Sequence, residues 1–212
     1  MLDALKNNFE GYEILRAMCV NKVPKYGNDI DEVDKQGTKW ADYFKNRLRT
    51  FKNYRKGPYH TGMYTVSAHV PMGENVGATP DGRYAKEPLA DGGMSPVYGR
   101  DIKGPTAVLK SVSKLDKTLT TNGGLLNMKF LLNFSRQRQE LKVCKFLRTF
   151  VDLEIPHIQF NVVRKEDLLA AKKNPEQYRG LTVRVAGYTA YFTELADELQ
   201  NEIIARTSYG DI

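Results

Sequence analysis

Arg184-Val185-Ala186-Gly187-Tyr188-Thr189-Ala190-Tyr191-Phe192 is the stretch whose pattern decides how the rest is read. Leu181, Val183 and Val185 alternate into it with the period of a half-buried strand. Leu199, Ile203 and Ile204 follow as the apolar stripe of a helix over 196–207. Between them lie a small residue, a glycine and an aromatic, so the segment reads as strand, tight loop and closing helix. Taken alone, Gly187 is a loop glycine with positive φ, the common use of a residue without Cβ.

Upstream of this loop, strands and helices mix. His157–Val163 alternates as a strand, Lys165–Lys173 has the length of a short helix, and Asn174-Pro175-Glu176 supplies a cap and a first-turn proline. Residues 139–152 and Pro105–Leu115 read as helices, and Leu125–Leu132 as a strand. Residues 71–104 are rich in glycine and proline, a long irregular stretch of the kind that compact domains keep for function. Tyr64, Val66, Ala68 and Val70 alternate as a strand before it. Ile30, Val33, Gly37, Trp40, Phe44, Leu48 and Phe51 share one face of a predicted helix over 30–54, capped by Asp29. Leu2, Leu5, Phe9, Tyr12, Leu15 and Met18 predict one amphipathic helix over 2–20. The mixture is α/β or α+β, with long loops.

The totals exclude several classes. The chain has 212 residues, 41% hydrophobic and 27% charged, ordinary for a globular domain. No apolar run reaches the roughly 18 residues of a membrane span. Met1-Leu2-Asp3-Ala4-Leu5-Lys6 is acidic and amphipathic rather than basic then apolar, so the expected compartment is the cytoplasm. The net charge is +7, but the lysines and arginines are spread out. The patches Lys45–Lys56 and Arg136–Arg148 read as solvated helix faces rather than a nucleic-acid footprint. Two cysteines, Cys19 and Cys144, without a CxxC pair argue against a disulfide framework or structural zinc. His60, His69 and His157 lack metal-ligand spacing, so no metal is expected.

Four blocks carry a more specific signal. The first is Lys25-Tyr26-Gly27-Asn28-Asp29. The second runs from Val66-Ser67-Ala68-His69-Val70-Pro71 through Gly77-Ala78-Thr79-Pro80-Asp81-Gly82-Arg83 to Leu89-Ala90-Asp91-Gly92-Gly93-Met94-Ser95-Pro96. The third spans Gly104-Pro105-Thr106-Ala107 to Asn122-Gly123-Gly124-Leu125-Leu126-Asn127-Met128-Lys129-Phe130. The fourth spans His157-Ile158-Gln159-Phe160-Asn161, the Gly187 loop and Ile203-Ile204-Ala205-Arg206-Thr207. In this order they resemble the C-terminal region of the glycyl radical enzymes, the family of pyruvate formate-lyase.

That resemblance implies a mixed α/β fold: the C-terminal portion of a ten-stranded α/β barrel with long loops over 1–120, then a glycyl radical domain over 121–212. It implies Gly187 as the radical site, with no cofactor bound. The radical is installed by an activating enzyme that uses S-adenosylmethionine and an iron–sulfur cluster. Arg184 and Gln159 stand where they can hydrogen-bond around the loop, and His69 lies on a segment near the active-site barrel. Gly187 is expected to pack inside, walled by Tyr188, Tyr191 and Phe192. Phe146-Leu147-Arg148-Thr149-Phe150-Val151-Asp152-Leu153 and the tail Arg206–Ile212 resemble the choline trimethylamine-lyase branch, which cleaves choline to trimethylamine and acetaldehyde. Glycerol and propanediol dehydratase-type members share the four blocks.

The family's Gly-Cys-x-Glu loop, source of the thiyl radical and the general base, does not occur in these 212 residues. Cys19 and Cys144 sit on helical segments and read as small packing residues. The expected partners are therefore the activating enzyme, the remainder of the lyase, choline or a similar small alcohol, and a second copy in a homodimer; nucleic acid and membrane are not expected. The expected location is the cytoplasm or a bacterial microcompartment within it. A non-catalytic spare radical module and a structural module that binds an activase or shell are the competing classes.

Overall fold

The computed structural model describes residues 1–118, 120–131 and 139–210. Leu132, the start of the Arg136–Arg148 patch and the last two residues of the tail lie outside them. In chain order the elements are α1 (Leu2–Lys6), α2 (Glu13–Asn21), α3 (Asp31–Arg49), α4 (His69–Glu74) and α5 (Pro105–Ser113). Then come β1 (Asn127–Phe130), α6 (Gln139–Asp152), β2 (Gln159–Asn161), α7 (Lys165–Lys173), β3 (Thr182–Arg184), β4 (Thr189–Tyr191), α8 (Asp197–Ala205) and β5 (Ser208–Tyr209).

A three-stranded parallel sheet, ordered β2-β1-β5, lies at the centre. Helix α6 makes the crossover that parallel neighbours β1 and β2 require. Side chains alternate across the sheet, and the two faces differ in chemistry. Met128, Phe130, Phe160 and Tyr209 point into an apolar layer with Val108, Leu109 and Val112 of α5 and Phe146 of α6. Phe130 is its centre, with ring centroids 5.4 Å from Phe146, 5.6 Å from Phe160 and 5.5 Å from Tyr209. Asn127, Lys129, Gln159 and Asn161 occupy the opposite face, and all but Asn127 are buried.

A second core covers that polar face. Leu168 and Ala171 of α7, Val183 of β3, Val185, Phe192, and Leu199, Ile203 and Ile204 of α8 pack together, joined by Val70 of α4. Strands β3 and β4 form an antiparallel hairpin, Thr182 facing Tyr191 and Arg184 facing Thr189. Gly187 sits at its tip.

Four expectations need correction. The amphipathic helix over 2–20 is two helices. Asn8, Phe9 and Gly11 adopt positive φ, and the break turns Phe9 into a buried position edge-on to Tyr84. The strand over Tyr64–Val70 is not formed; Met63 alone makes a bridge to Gly124. Val66 has φ +57°, and His69 opens α4, whose third residue, Pro71, needs no helical N–H partner in the first turn. Helix α3 ends at Arg49, and its apolar stripe does not face this chain's core: Trp40, Phe44 and Phe51 are each more than half exposed. Its inward positions are Asp34 and Lys45 instead, bonded to Ser111 Oγ (3.0 Å) and to the Asp116 carbonyl (2.8 Å). The fourth correction concerns Gly187 itself.

Candidate functional site

The loop between β3 and β4 is a two-residue turn, closed by the Val185 N–H donating to the Tyr188 carbonyl at 2.9 Å. Gly187 has φ +89°, the conformation that the third position of a type II turn demands. Its α-carbon is exposed, and a Cβ built there would meet no atom within 4 Å. The expected burial behind aromatic walls is therefore not present in this chain. Phe192 is fully buried, but in the second core; Tyr188 is half-buried and Tyr191 is 48% exposed. Val183, Val185 and Ala186 are buried on the way into the turn, and the turn itself carries Gly187 out to the surface.

What lies under the turn is polar. The Gly187 N–H donates to Gln159 Oε1 at 2.8 Å, and Gln159 Nε2 donates to Asn127 Oδ1 at 2.8 Å. Asn127 Nδ2 in turn donates to the Val185 carbonyl (3.3 Å) and the Asp91 carbonyl (3.0 Å). Asn161 reads both sides of one peptide unit's residue: it donates to the Arg184 carbonyl (2.6 Å) and accepts from the Arg184 N–H (2.8 Å). Sequence reasoning named Gln159, and the structure brings it to the glycine. The Arg184 guanidinium instead bonds Thr189 Oγ1 across the hairpin, at 2.8 Å.

An ionic cluster, missed in the sequence, backs the same turn. Arg206, just past α8, donates to the Val185 carbonyl (2.8 Å) and the Arg184 carbonyl (3.2 Å). Its guanidinium also meets Glu202 through two bonds of 2.9 Å and Asp91 at 3.0 Å. His69 Nε2 lies 3.2 Å from Glu202 Oε2. All four side chains are buried. Burial pushes the Asp91 carboxyl upward, and Glu202 adds to this, with Arg206 pulling the other way. For Glu202, burial also pushes upward, but His69 and Arg206 outweigh it and hold the carboxyl below its ordinary range. The spacing Glu202–Arg206, one helical turn apart, was the available signal. His69 thus serves a buried ion cluster rather than facing an open site.

Lys129 shares the polar face. Its Nζ reaches the Ile203 and Ile204 carbonyls at 3.4 Å each, at the C-terminal end of α8 where a cation is favoured. Burial, with the nearby positive charges of Arg206 and Lys165, pushes its pKa down to about 8. A cavity of about 20 Å³, room for a water-sized molecule, lies between Lys129, Asp91, Asn161 and Arg206.

The remaining histidines and the cysteines lie apart from this cluster. His60 Nδ1 lies 2.6 Å from Thr121 Oγ1. His157 has its pKa lowered by burial and then by Arg184. Cys19 is buried and Cys144 exposed, each on a helix. The acidic trio Asp29, Asp31 and Asp34 converges on the Lys114 ammonium at 2.9, 2.7 and 2.8 Å. Partial burial opposes the charge, yet the three carboxylates hold the Lys114 pKa above its ordinary value.

Comparison with known proteins fits this arrangement. Residues 90–193 match the family described as glycine radical, and residues 1–73 match that described as pyruvate formate lyase-like. The chain belongs to the glycyl radical enzymes. A structure of the glycerol-bound form of the B12-independent glycerol dehydratase from Clostridium butyricum superposes with TM-score 0.91 at 43% identity, over 98% of this chain and 26% of that one. A Roseburia inulinivorans structure described for 1,2-propanediol dehydration gives TM-score 0.91 at 44% identity, over 98% of this chain and 27% of that one. A probable dehydratase of Escherichia coli is 44% identical over 97% of this chain and 26% of its own length. The chain therefore spans about a quarter of the length of the curated relatives it matches, and it corresponds to the C-terminal portion of the glycyl radical enzyme fold. Among the described residues no helix is long and apolar enough to cross a membrane.

Proposed function

We propose that Gly187 is the carbon that stores the radical, and that this chain is the radical-bearing portion of a lyase acting on small hydroxylated substrates. The observation that carries the reading is the Gly187 turn: an unhindered α-carbon, exposed at a hairpin tip, its amide held by a buried glutamine. Loss of one Cα hydrogen atom leaves an unpaired electron between an amide nitrogen that donates and a carbonyl that withdraws. With no Cβ, the carbon flattens freely. An exposed tip is also what a separate activating enzyme needs in order to reach it.

The radical-bearing part is proposed to run over residues 121–212, with the barrel portion before it. The second core supports a unit at this end of the chain, since all of its buried members except Val70 come from residues 168–204, while the first core joins residues from both sides of position 120. The thiyl cysteine, the general base and the substrate contacts belong to the remainder of the lyase, so this chain alone does not turn over substrate. A second copy in a homodimer is retained from the family resemblance.

The relatives favour elimination of water from a small diol or polyol, because glycerol and propanediol dehydratases match at 43% and 44% identity. Cleavage of choline is the second reading; the resemblance of Phe146–Leu153, at the end of α6 and just past it, favours it. Both are 1,2-eliminations that differ in the leaving group.

The test is anaerobic incubation of the chain with a radical S-adenosylmethionine activating enzyme, followed by electron paramagnetic resonance. A glycyl doublet is expected, and exposure to air should then cut the polypeptide at Gly187. A silent spectrum together with an intact chain by mass spectrometry rejects the reading. Adding the thiyl-bearing remainder then separates the substrates: aldehyde from a diol marks a dehydratase, and trimethylamine from choline marks the C–N lyase. Restored turnover in an oxygen-cleaved enzyme marks a spare module.

A further inference from the structure

The glycine hairpin lies over the central sheet, yet the described residues show no backbone-to-backbone bond between them. Its own backbone bonds are local, such as Phe192 N–H to Leu181 and Val185 N–H to Tyr188. The connection runs through side chains. Gln159, Asn127 and Asn161 project from neighbouring strands β1 and β2 and take up the Gly187 N–H, the Val185 carbonyl, and both the N–H and carbonyl of Arg184. Asn161 thereby imitates a strand: its amide offers one donor and one acceptor to a single residue, as a ladder neighbour does.

The apolar residues obey the same division. Val183 and Val185 bury themselves against α7 and α8, inside the unit that carries the hairpin, and Val70 is the one buried member from outside it. The sheet's apolar residues point the other way, toward α5 and α6. The seam between sheet and hairpin is thus made of amides and the Arg206 guanidinium, groups that water can satisfy when the seam opens.

We propose that Gln159 and Asn161 are positioning residues for Gly187: a detachable ladder of side-chain amides that sets where the glycine sits and how readily its hairpin leaves the sheet. The functional meaning rests on Gly187 being the radical carbon; the docking does not. Opening along this seam breaks no sheet hydrogen bond, so β1 and β2 stay paired. The glycine amide and the Arg184 amide are released together, because their acceptors sit two residues apart on one strand.

The test is residue-resolved amide hydrogen exchange on this chain. In Gln159→Leu the Gly187 amide, and in Asn161→Leu the Arg184 amide, should exchange about tenfold faster than in the parent. Amides of α5 and of β1 should keep their rates. Gln159→Glu, compared at a pH low enough to keep its carboxyl protonated, retains an acceptor for the Gly187 N–H and a donor toward Asn127 Oδ1, and should preserve Gly187 protection, which a mere packing role would not require. Parent-like exchange in both leucine variants overturns the proposal, as does equal loss in Gln159→Leu and Gln159→Glu. The arms separate the two readings. If the parent chain forms no radical while the exchange pattern appears as expected, the radical assignment fails and the positioning role stands. If the radical forms while the leucine variants remain protected, the converse holds.

Discussion

Removing Arg206 probes the ionic backing of the glycine turn. Its guanidinium lies within 3.0 Å of both Asp91 and Glu202, and it also holds the Val185 carbonyl at 2.8 Å. Arg206→Met keeps the length of the side chain and deletes the charge. It leaves two buried carboxylates facing each other across the vacated fork. Breaking a buried pair by removing one partner costs roughly 3–5 kcal/mol, a large fraction of the roughly 5–15 kcal/mol typical of a domain. The loss should depend on pH with a definite sign. Burial already raises the Asp91 carboxyl, and without the guanidinium that pulls it down its folded pKa stands further above its unfolded one, so the folded state binds more protons between the two. Stability of the variant therefore falls as pH rises through that window. Urea unfolding followed by circular dichroism should show a larger deficit at pH 8 than at pH 5. Adding Glu202→Gln to Arg206→Met should recover about 1–2 kcal/mol at pH 8, since one stranded charge is gone. A deficit under 1 kcal/mol, or one equal at both pH values, would refute the account of the cluster.

Three further outcomes are expected. Gly187→Ala should cost only about 1 kcal/mol, from positive φ without any clash, while abolishing the radical doublet after anaerobic activation; a doublet that persists moves the radical elsewhere. Lys129 has its folded pKa near 8, below the unfolded value of 10.5, so between these values the unfolded state binds more protons and parent stability rises with pH. Relative to Lys129→Met, the parent should gain about 2 kcal/mol, after allowance for solvent screening, between pH 7.5 and 10.5; a flat difference in thermal unfolding counts against a neutralising buried lysine. Phe130→Ala removes the ring common to three aromatic contacts and should cost roughly 3–5 kcal/mol by urea titration, with a loss below 1 kcal/mol showing that the apolar face is not centred there.

Much of this protein was legible in the order of its residues. The α5, α6, α7 and α8 helices, the β1 and β2 strands and the β3 strand into the Gly187 loop follow from apolar period and turn residues, which act over a few positions, whereas the returning strand β4 was not read there. The four blocks, in their order along the chain, carried the resemblance to the family. Other features depended on partners far along the chain. The same alternation that predicted a strand at Tyr64–Val70 is compatible with the turn and short helix found there, and only the packing of His69 and Val70 against α8 decides between them. The α3 period shows that Trp40, Phe44 and Phe51 share a face, but not what that face meets. Gln159 and Asn161 read as ordinary polar strand positions until β1, β2 and the hairpin are stacked. Arg206 and Asp91, 115 positions apart, become neighbours only in the fold. Local backbone preference is a property of the nearest few residues and is written in the sequence. The charge, burial and hydrogen-bond partners of a side chain depend on what the folded chain brings beside it, and those the tertiary structure alone decided.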